Sequence, residues 1–240
     1  MDVPQTVRAA LGDRSIEGRR CLDAGAGAGN TTAGLLEAGA SSVFAVTNER
    51  EHAETVSERL RDAEEVKVLE SDLRAIALPD DSVDIVTAHA LFNVVPPEAL
   101  STIVDELTRV VRPGGNLIVD DYAPLPETAE IRALFGIENA ASELARNRPG
   151  LTFYPASVLQ SVFEGKGWVF ERQKTLLDPV PWTEGHVEAH ADVACDVAAG
   201  IEAPLGGILS KEADRLASEI GSESAGEMYS LAFRKPESSG

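Results

Sequence analysis

His89 is the residue best placed to move a proton. It ends an apolar run, Val83-Asp84-Ile85-Val86-Thr87-Ala88-His89, that reads as a buried strand. Neutral imidazole titrates near working pH, so His89 can act as general base for a hydroxyl or acidic-carbon nucleophile. A packed His89 that meets a ligand only through its backbone fits the same sequence. Asp120, Asp121 and Tyr122 close a second strand at the same crevice and are candidates for substrate contact. His186 and His190 are spaced i,i+4 on one helix face, with Asp192 and Cys195 downstream, which invites a metal. The H-E-x-x-H pattern is absent because the glutamate is Glu188, and no third ligand has obvious spacing. The helix is therefore read as facing solvent or a cap, and no metal is expected.

Binding chemistry concentrates in Cys21-Leu22-Asp23-Ala24-Gly25-Ala26-Gly27-Ala28-Gly29-Asn30-Thr31-Thr32, which reads as a strand end, a glycine turn and a helix start. Gly25, Gly27 and Gly29 can take positive φ and let the backbone approach a ligand, while the helix start offers unpaired N–H groups. Turns of this kind bind adenosine ligands in α/β proteins. A dinucleotide fingerprint, G-x-G-x-x-G, would need glycine at Asn30; the spacing here is G-x-G-x-G, preceded by Asp23. A tight turn with no ligand is the alternative that the loop alone leaves open.

These residues need a scaffold, and from about residue 20 to 121 short apolar runs alternate with helical patterns, as in a parallel sheet built from βαβ units. Strands are expected at Arg20–Ala24, Ser42–Val46, Val66–Glu70, Val83–His89 and Asn116–Asp121. Helices are expected at Thr31–Ala38, Glu49–Arg61 and Pro97–Val111, the last begun by Pro97 and ended by a chain break at Arg112-Pro113-Gly114-Gly115. Beyond it, Pro126–Arg146 and Pro155–Gly165 carry helical spacing, and Trp168–Leu177 and Met228–Arg234 read as strands around a mostly helical stretch.

The loop and the stretches that follow it resemble the class I S-adenosylmethionine-dependent methyltransferases, whose first motif is a hydrophobic strand followed by D/E-x-G-x-G-x-G. The resemblance covers about residues 20–177 and the last strand. It implies a Rossmann-like, doubly wound seven-stranded α/β sheet in the order 3-2-1-4-5-7-6 with strand 7 antiparallel. The chain then reads as one domain, 1–240, with helical cap insertions at about 123–152 and 178–227 that in the family commonly cover the methyl-transfer site. The cofactor implied is S-adenosylmethionine, with S-adenosylhomocysteine as product, held by Asp23, Ala24, Gly25, Ala26, Gly27 and Gly29 of the loop. In Val68-Leu69-Glu70-Ser71-Asp72-Leu73 the family pattern assigns Asp72 to the adenine amino group and Leu73 to a ring nitrogen; Ala88 lies at the edge of the same site. Asp84 and the Pro113-Gly114-Gly115 turn match structural positions. One departure stands out: the acid that usually accepts from the ribose hydroxyls is replaced by Thr47, leaving Thr47, Asn48 or Glu49 to meet the diol.

Composition narrows the reading. Forty Asp and Glu oppose 21 Lys and Arg, a formal net charge of -19. Phosphate backbones and anionic membranes are repelled, which argues against nucleic-acid and membrane partners. Only Lys67, Lys166, Lys174, Lys211 and Lys235 are lysines, and the acids are spread over helix faces, a pattern expected of adaptation to concentrated salt. Cys21 and Cys195 form neither a disulfide framework nor a C-x-x-C site. No secretory or membrane-spanning pattern is seen, so a cytoplasmic protein is expected. The expectation is therefore a methyltransferase acting on a small-molecule substrate by in-line displacement, with His89 as the candidate catalytic residue. A protein methyltransferase and a non-catalytic binding module share these motifs. A nucleotide-dependent oxidoreductase is opposed by Asn30 and by the lack of a Tyr-x-x-x-Lys pair.

Overall fold

A computed structural model describes residues 2–237. Eight helices and nine strands follow in the order α1 (Gln5–Leu11), β1 (Arg20–Ala24), α2 (Asn30–Glu37), β2 (Ser42–Thr47), α3 (Arg50–Arg59), β3 (Val66–Glu70), β4 (Val83–His89), α4 (Pro97–Val110), β5 (Val111–Tyr122), α5 (Ile131–Arg146), α6 (Ala156–Gly165), β6 (Val169–Leu177), β7 (Pro181–Trp182), α7 (Glu184–Ala198), α8 (Leu205–Ile220), β8 (Glu223–Ser224) and β9 (Met228–Arg234). The main sheet has the order β3-β2-β1-β4-β5-β9-β6. Strands β1 to β5 are mutually parallel, and β9 runs antiparallel between β5 and β6. With β9 as the seventh strand of the main sheet, this is the expected 3-2-1-4-5-7-6 order.

The central strands read as continuous apolar runs because both faces of the sheet are covered. On one face Cys21, Val43, Ala45, Ile85 and Ile118 meet α1, α2 and α3. On the other, Leu22, Val46, Val86, Leu117 and Val119 meet the apolar stripes of α4 and α6. A fully buried side chain such as Leu22, Leu107 or Phe163 contributes roughly 1.5–3 kcal/mol by leaving water. Helix α1, which the sequence reading did not anticipate, lies on α2 at Gly34, where a Cβ would collide with Val7 and approach Val3 to 3.3 Å. Its signal was present in the apolar spacing of Val3, Val7, Ala10 and Leu11.

Two other boundaries differ from expectation. The Arg112-Pro113-Gly114-Gly115 turn does not break the chain: β5 starts at Val111, paired with Val83, and runs through the turn with a register shift before Asn116 meets Ile85. Asp84 fixes this corner by accepting from Arg112 Nε and from the Arg20 backbone N–H at 2.8 Å. Helix α5 starts at Ile131 instead of Pro126, because the Glu223 carboxylate accepts from the N–H groups of Glu130 and Ile131 at 3.0 and 2.9 Å and defines the helix N-terminus.

Helices α5, α7 and α8 pack on one another beside the C-terminal edge of the sheet, around Phe135, Trp182, Val187 and Ala213. The short ribbon β7·β8 ties this cap down through Pro181↔Ser224 and Trp182↔Glu223.

Candidate active site at the carboxyl ends of the strands

The glycine turn occupies the end of β1 as its residue types demand. Gly25, Gly27 and Gly29 have φ of +75°, +50° and +78°, where a side chain is strained. The N–H groups of Gly25 and Ala26 donate to Val46 O at 3.0 and 2.9 Å, locking the turn to the end of β2. A Cβ built at Gly27 would meet nothing nearer than Gly25 O at 4.0 Å, so the backbone there borders open space of the kind a ligand fills. Helix α2 begins at this turn with Gly29 at its N-cap, which has no side chain to cap the first-turn amides. The donor set and the open cradle fit an adenosine ligand.

The other expected cofactor residues sit around the turn. Ala24 and Ala88 are register partners in β1 and β4. Asp23 is buried and its carboxylate accepts from Thr32 at 2.6 Å and Thr87 at 3.4 Å. Burial pushes its pKa up, against those hydroxyls and His89. Asp23 therefore braces the start of α2 against β4. Thr47 is buried at the end of β2, and its hydroxyl accepts from the Glu49 N–H at 3.2 Å, shaping its own turn; Asn48 is exposed beside it. Asp72 is forked by Arg74, with Nε at 3.0 Å from both carboxylate oxygens, and this hydrogen bond holds its pKa below the ordinary value. Leu73 is buried next to it.

His89 and Asp120 are register partners in the parallel strands β4 and β5, so their side chains leave the same face side by side. His89 Nδ1 lies 3.0 Å from Asp120 Oδ2. Burial lowers the His89 pKa, but the hydrogen bond and charge of Asp120, with Asp23 and Asp121 nearby, outweigh it and hold the imidazole above its ordinary value. Ala90 follows in the left-handed region at φ +49°, its N–H donating to Asp120 O at 2.7 Å. A β-carbon is strained there, so the sharp turn after His89 is held by its surroundings. Asp121 leaves the opposite face, is buried, and accepts from the Asn93 and Tyr122 N–H groups at 3.1 and 2.8 Å. Burial, opposed by these donors, pushes its pKa to about 7.

A cavity of about 420 Å³ opens between this edge and the cap. His89 and Asn93 come from the sheet side, and Phe153, Trp182, His186 and His190 from the far side. Sequence reasoning missed Phe153 and Trp182, which belong to no motif. It also missed Glu138, a buried acid whose Oε2 lies 2.8 Å from His190 Nδ1. The His186–His190 pair belongs to the cap and lines the cavity, and among the described residues no group of three metal-ligating side chains is assembled.

Residues 22–119 match the family model described as methyltransferase domain. The match spans β1 to β5 and the glycine turn, less than half of the chain. Over 112 residues the chain is 35% identical to a curated demethylmenaquinone methyltransferase from Clavibacter sepedonicus, covering 46% of this chain and 44% of that protein. The chain thus spans less than half the length of this relative. Solved structures resemble the sheet and its cap together. An S-adenosylmethionine-dependent methyltransferase from Mesorhizobium loti superposes with TM-score 0.59 at 16% identity, over 95% of each chain. The cyclopropane synthase of Mycobacterium tuberculosis gives 0.64 at 15%, over 95% of this chain and 82% of that one. The cyclase SpnF gives 0.65 at 16%, over 96% and 80%. At such identities the likeness is one of fold. Among the described residues no helix is long and apolar enough to cross a membrane.

Proposed function

We propose that this chain transfers a methyl group from S-adenosylmethionine to a small, uncharged acceptor held in the cavity beside His89. The observation that carries the proposal is adjacency: the open cradle at Gly27 and the His89–Asp120 pair stand at the carboxyl ends of neighbouring strands. The cofactor would be held by the Asp23–Gly29 turn, by Thr47 and Asn48 at the ribose, and by Asp72, Leu73 and Ala88 around the adenine. When bound, it supplies an electrophilic methyl group on a sulfonium that departs as a neutral thioether. The chain's own part is then to orient the acceptor, exclude water and receive one proton.

Asp120 accepts from His89 Nδ1–H, so the neutral imidazole keeps its lone pair on Nε2. That atom takes the proton of the acceptor hydroxyl as its oxygen forms the new bond to carbon, and Asp120 stabilises the resulting imidazolium. The demethylmenaquinone activity named for the bacterial relative supports a small-molecule acceptor, as does the cavity's size, which lies in the range of small-ligand sites. The test is transfer of labelled methyl from S-adenosylmethionine to a panel of hydroxylated acceptors. Label in an extractable product, lost in His89→Ala, supports the proposal; no transfer to any acceptor by a protein that binds the cofactor contradicts it.

A second reading draws on Thr47 and Asp72, whose polar atoms are engaged by Glu49 and Arg74. In it the fold binds small molecules in the cavity without transferring methyl. Binding of an acceptor in the absence of any affinity for S-adenosylhomocysteine selects that reading.

A further inference from the structure

Three of the chain's four histidines, His89, His186 and His190, line the same cavity, and the hydrogen bonds at each Nδ1 set its tautomer. A carboxylate only accepts, so Asp120 at 3.0 Å and Glu138 at 2.8 Å place the proton of neutral His89 and His190 on Nδ1. Both then present Nε2 as an acceptor. His186 is the reverse: its Nδ1 accepts from the Thr183 N–H at 3.3 Å, so its neutral ring carries the proton on Nε2 and donates.

The rest of the lining fixes the kind of ligand. Among the described residues that line the cavity there is no Lys, Arg, Asp or Glu, which leaves only the imidazoles to meet a phosphate or carboxylate. Tyr122, Phe153 and Trp182 supply flat apolar surface. Phe135 stacks on Phe153 with centroids 5.3 Å apart and meets the His190 ring edge-on at 4.6 Å, so the His190–Glu138 pair is packed into the cap wall. Glu138 is only 5% exposed, and a carboxylate that deep is held there by its partner. On the sheet side, Asn93 Oδ1 and Asp120 Oδ1 are buried with no hydrogen-bond partner among the described residues. Such orphaned acceptors mark a place where a ligand donor or water completes the site.

We propose that the His190–Glu138 pair is a specificity-determining anchor for a planar, uncharged aromatic acceptor bearing two hydroxyl groups. One hydroxyl donates to His89 Nε2 and is the oxygen to be methylated; the other donates to His190 Nε2 in the cap. The assignment deepens the methyl-transfer reading, since it takes the cavity to be the acceptor site of that reaction. His190 positions the acceptor and takes no proton in the chemical step. Ligands with one hydroxyl satisfy one histidine and leave the other unpaired.

The test is calorimetric titration of naphthol and naphthalenediol isomers into the full chain, with and without saturating S-adenosylhomocysteine. At least one diol should bind about 10-fold tighter than either naphthol, the worth of one good hydrogen bond in a dry site. In His190→Phe, which keeps a ring against Phe135, the ratio should fall to about 1. In Glu138→Met, which keeps the volume and removes the acceptor at His190 Nδ1, the ratio should also fall. S-adenosylhomocysteine affinity should be unchanged in both variants. Equal binding of naphthols and diols, no binding of either, or a ratio unmoved in Glu138→Met overturns the assignment. Absence of S-adenosylhomocysteine binding defeats the methyl-transfer reading instead, and the diol preference is still read without it.

Discussion

His89 Nδ1 lies 3.0 Å from the Asp120 carboxylate, and the two residues are direct register partners in adjacent parallel strands. The pair is thus built by the sheet and not by a loop, which fixes the ring's tautomer and direction. Asp120, Asp23 and Asp121 together raise the His89 pKa against burial. A base acts only when neutral, and a raised pKa delays neutrality to higher pH. The kcat/KM of the methyl transfer should therefore rise with pH through an apparent pKa above the ordinary 6.5 of histidine. Asp120→Asn should move that limb to lower pH and reduce the plateau by about 10²-fold, as loss of general-base function does. A pH profile with the limb unmoved in Asp120→Asn contradicts the assignment of His89.

Gly27 at φ +50° borders the open cradle, and a Cβ there meets nothing nearer than 4.0 Å. Gly27→Val combines a strained, β-branched backbone, costing about 1–3 kcal/mol locally, with a side chain thrust into the ligand's space. The variant should fold, with near-native far-ultraviolet circular dichroism, and lose S-adenosylhomocysteine binding. An unchanged Kd would place the cofactor elsewhere.

Asp121 has its pKa raised by burial from 3.8 to about 7. Between those values the folded chain holds a proton that the unfolded chain has released, so this group makes stability fall as pH rises from about 4 to about 7. Below pH 4 both states are protonated and the effect vanishes. Asp121→Asn removes the charge and keeps an acceptor for one of the Asn93 and Tyr122 N–H groups, which meet different carboxylate oxygens. The lost bond costs the same at every pH, so the signature is the slope: the fall in stability between pH 5 and pH 8 should flatten in the variant, by about 1.4 kcal/mol for each pH unit no longer titrated. Chemical denaturation at pH 5 and pH 8 reads this; a variant whose stability falls as steeply as that of the native chain contradicts the cause given.

With 40 acids against 21 cations, at least 19 carboxylates have no cation of their own. Exposed pairs such as Arg8–Glu37 are weakened when salt screens them. Screening also relieves the net self-repulsion of the acids, which acts in the opposite direction. We propose an adaptation to concentrated salt, in which the melting temperature rises between low and molar KCl. A flat or falling trend removes the proposal.

The cofactor half of the fold was legible because its signals are local. A parallel strand covered on both faces is an unbroken apolar run, and the Gly25–Gly29 turn needs its glycines whatever lies beyond. Other features depend on residues far apart in the chain. Glu138 and His190 are 52 positions apart, and nothing near either names the other. The start of α5 is set by Glu223, more than 90 residues downstream. The Pro113-Gly114-Gly115 turn reads as a chain break, yet pairing with β4 on one side and β9 on the other carries β5 through it. Thr47 was a visible departure, and its use in shaping its own turn needed coordinates.

The most direct measurement is calorimetric titration of S-adenosylhomocysteine into the full chain in molar KCl, with NAD as the control. Saturable binding at one site per chain, with no heat from NAD, is the expected result. No binding of S-adenosylhomocysteine, or binding of NAD in its place, would contradict the cofactor site at Asp23–Gly29 and the methyl transfer that depends on it.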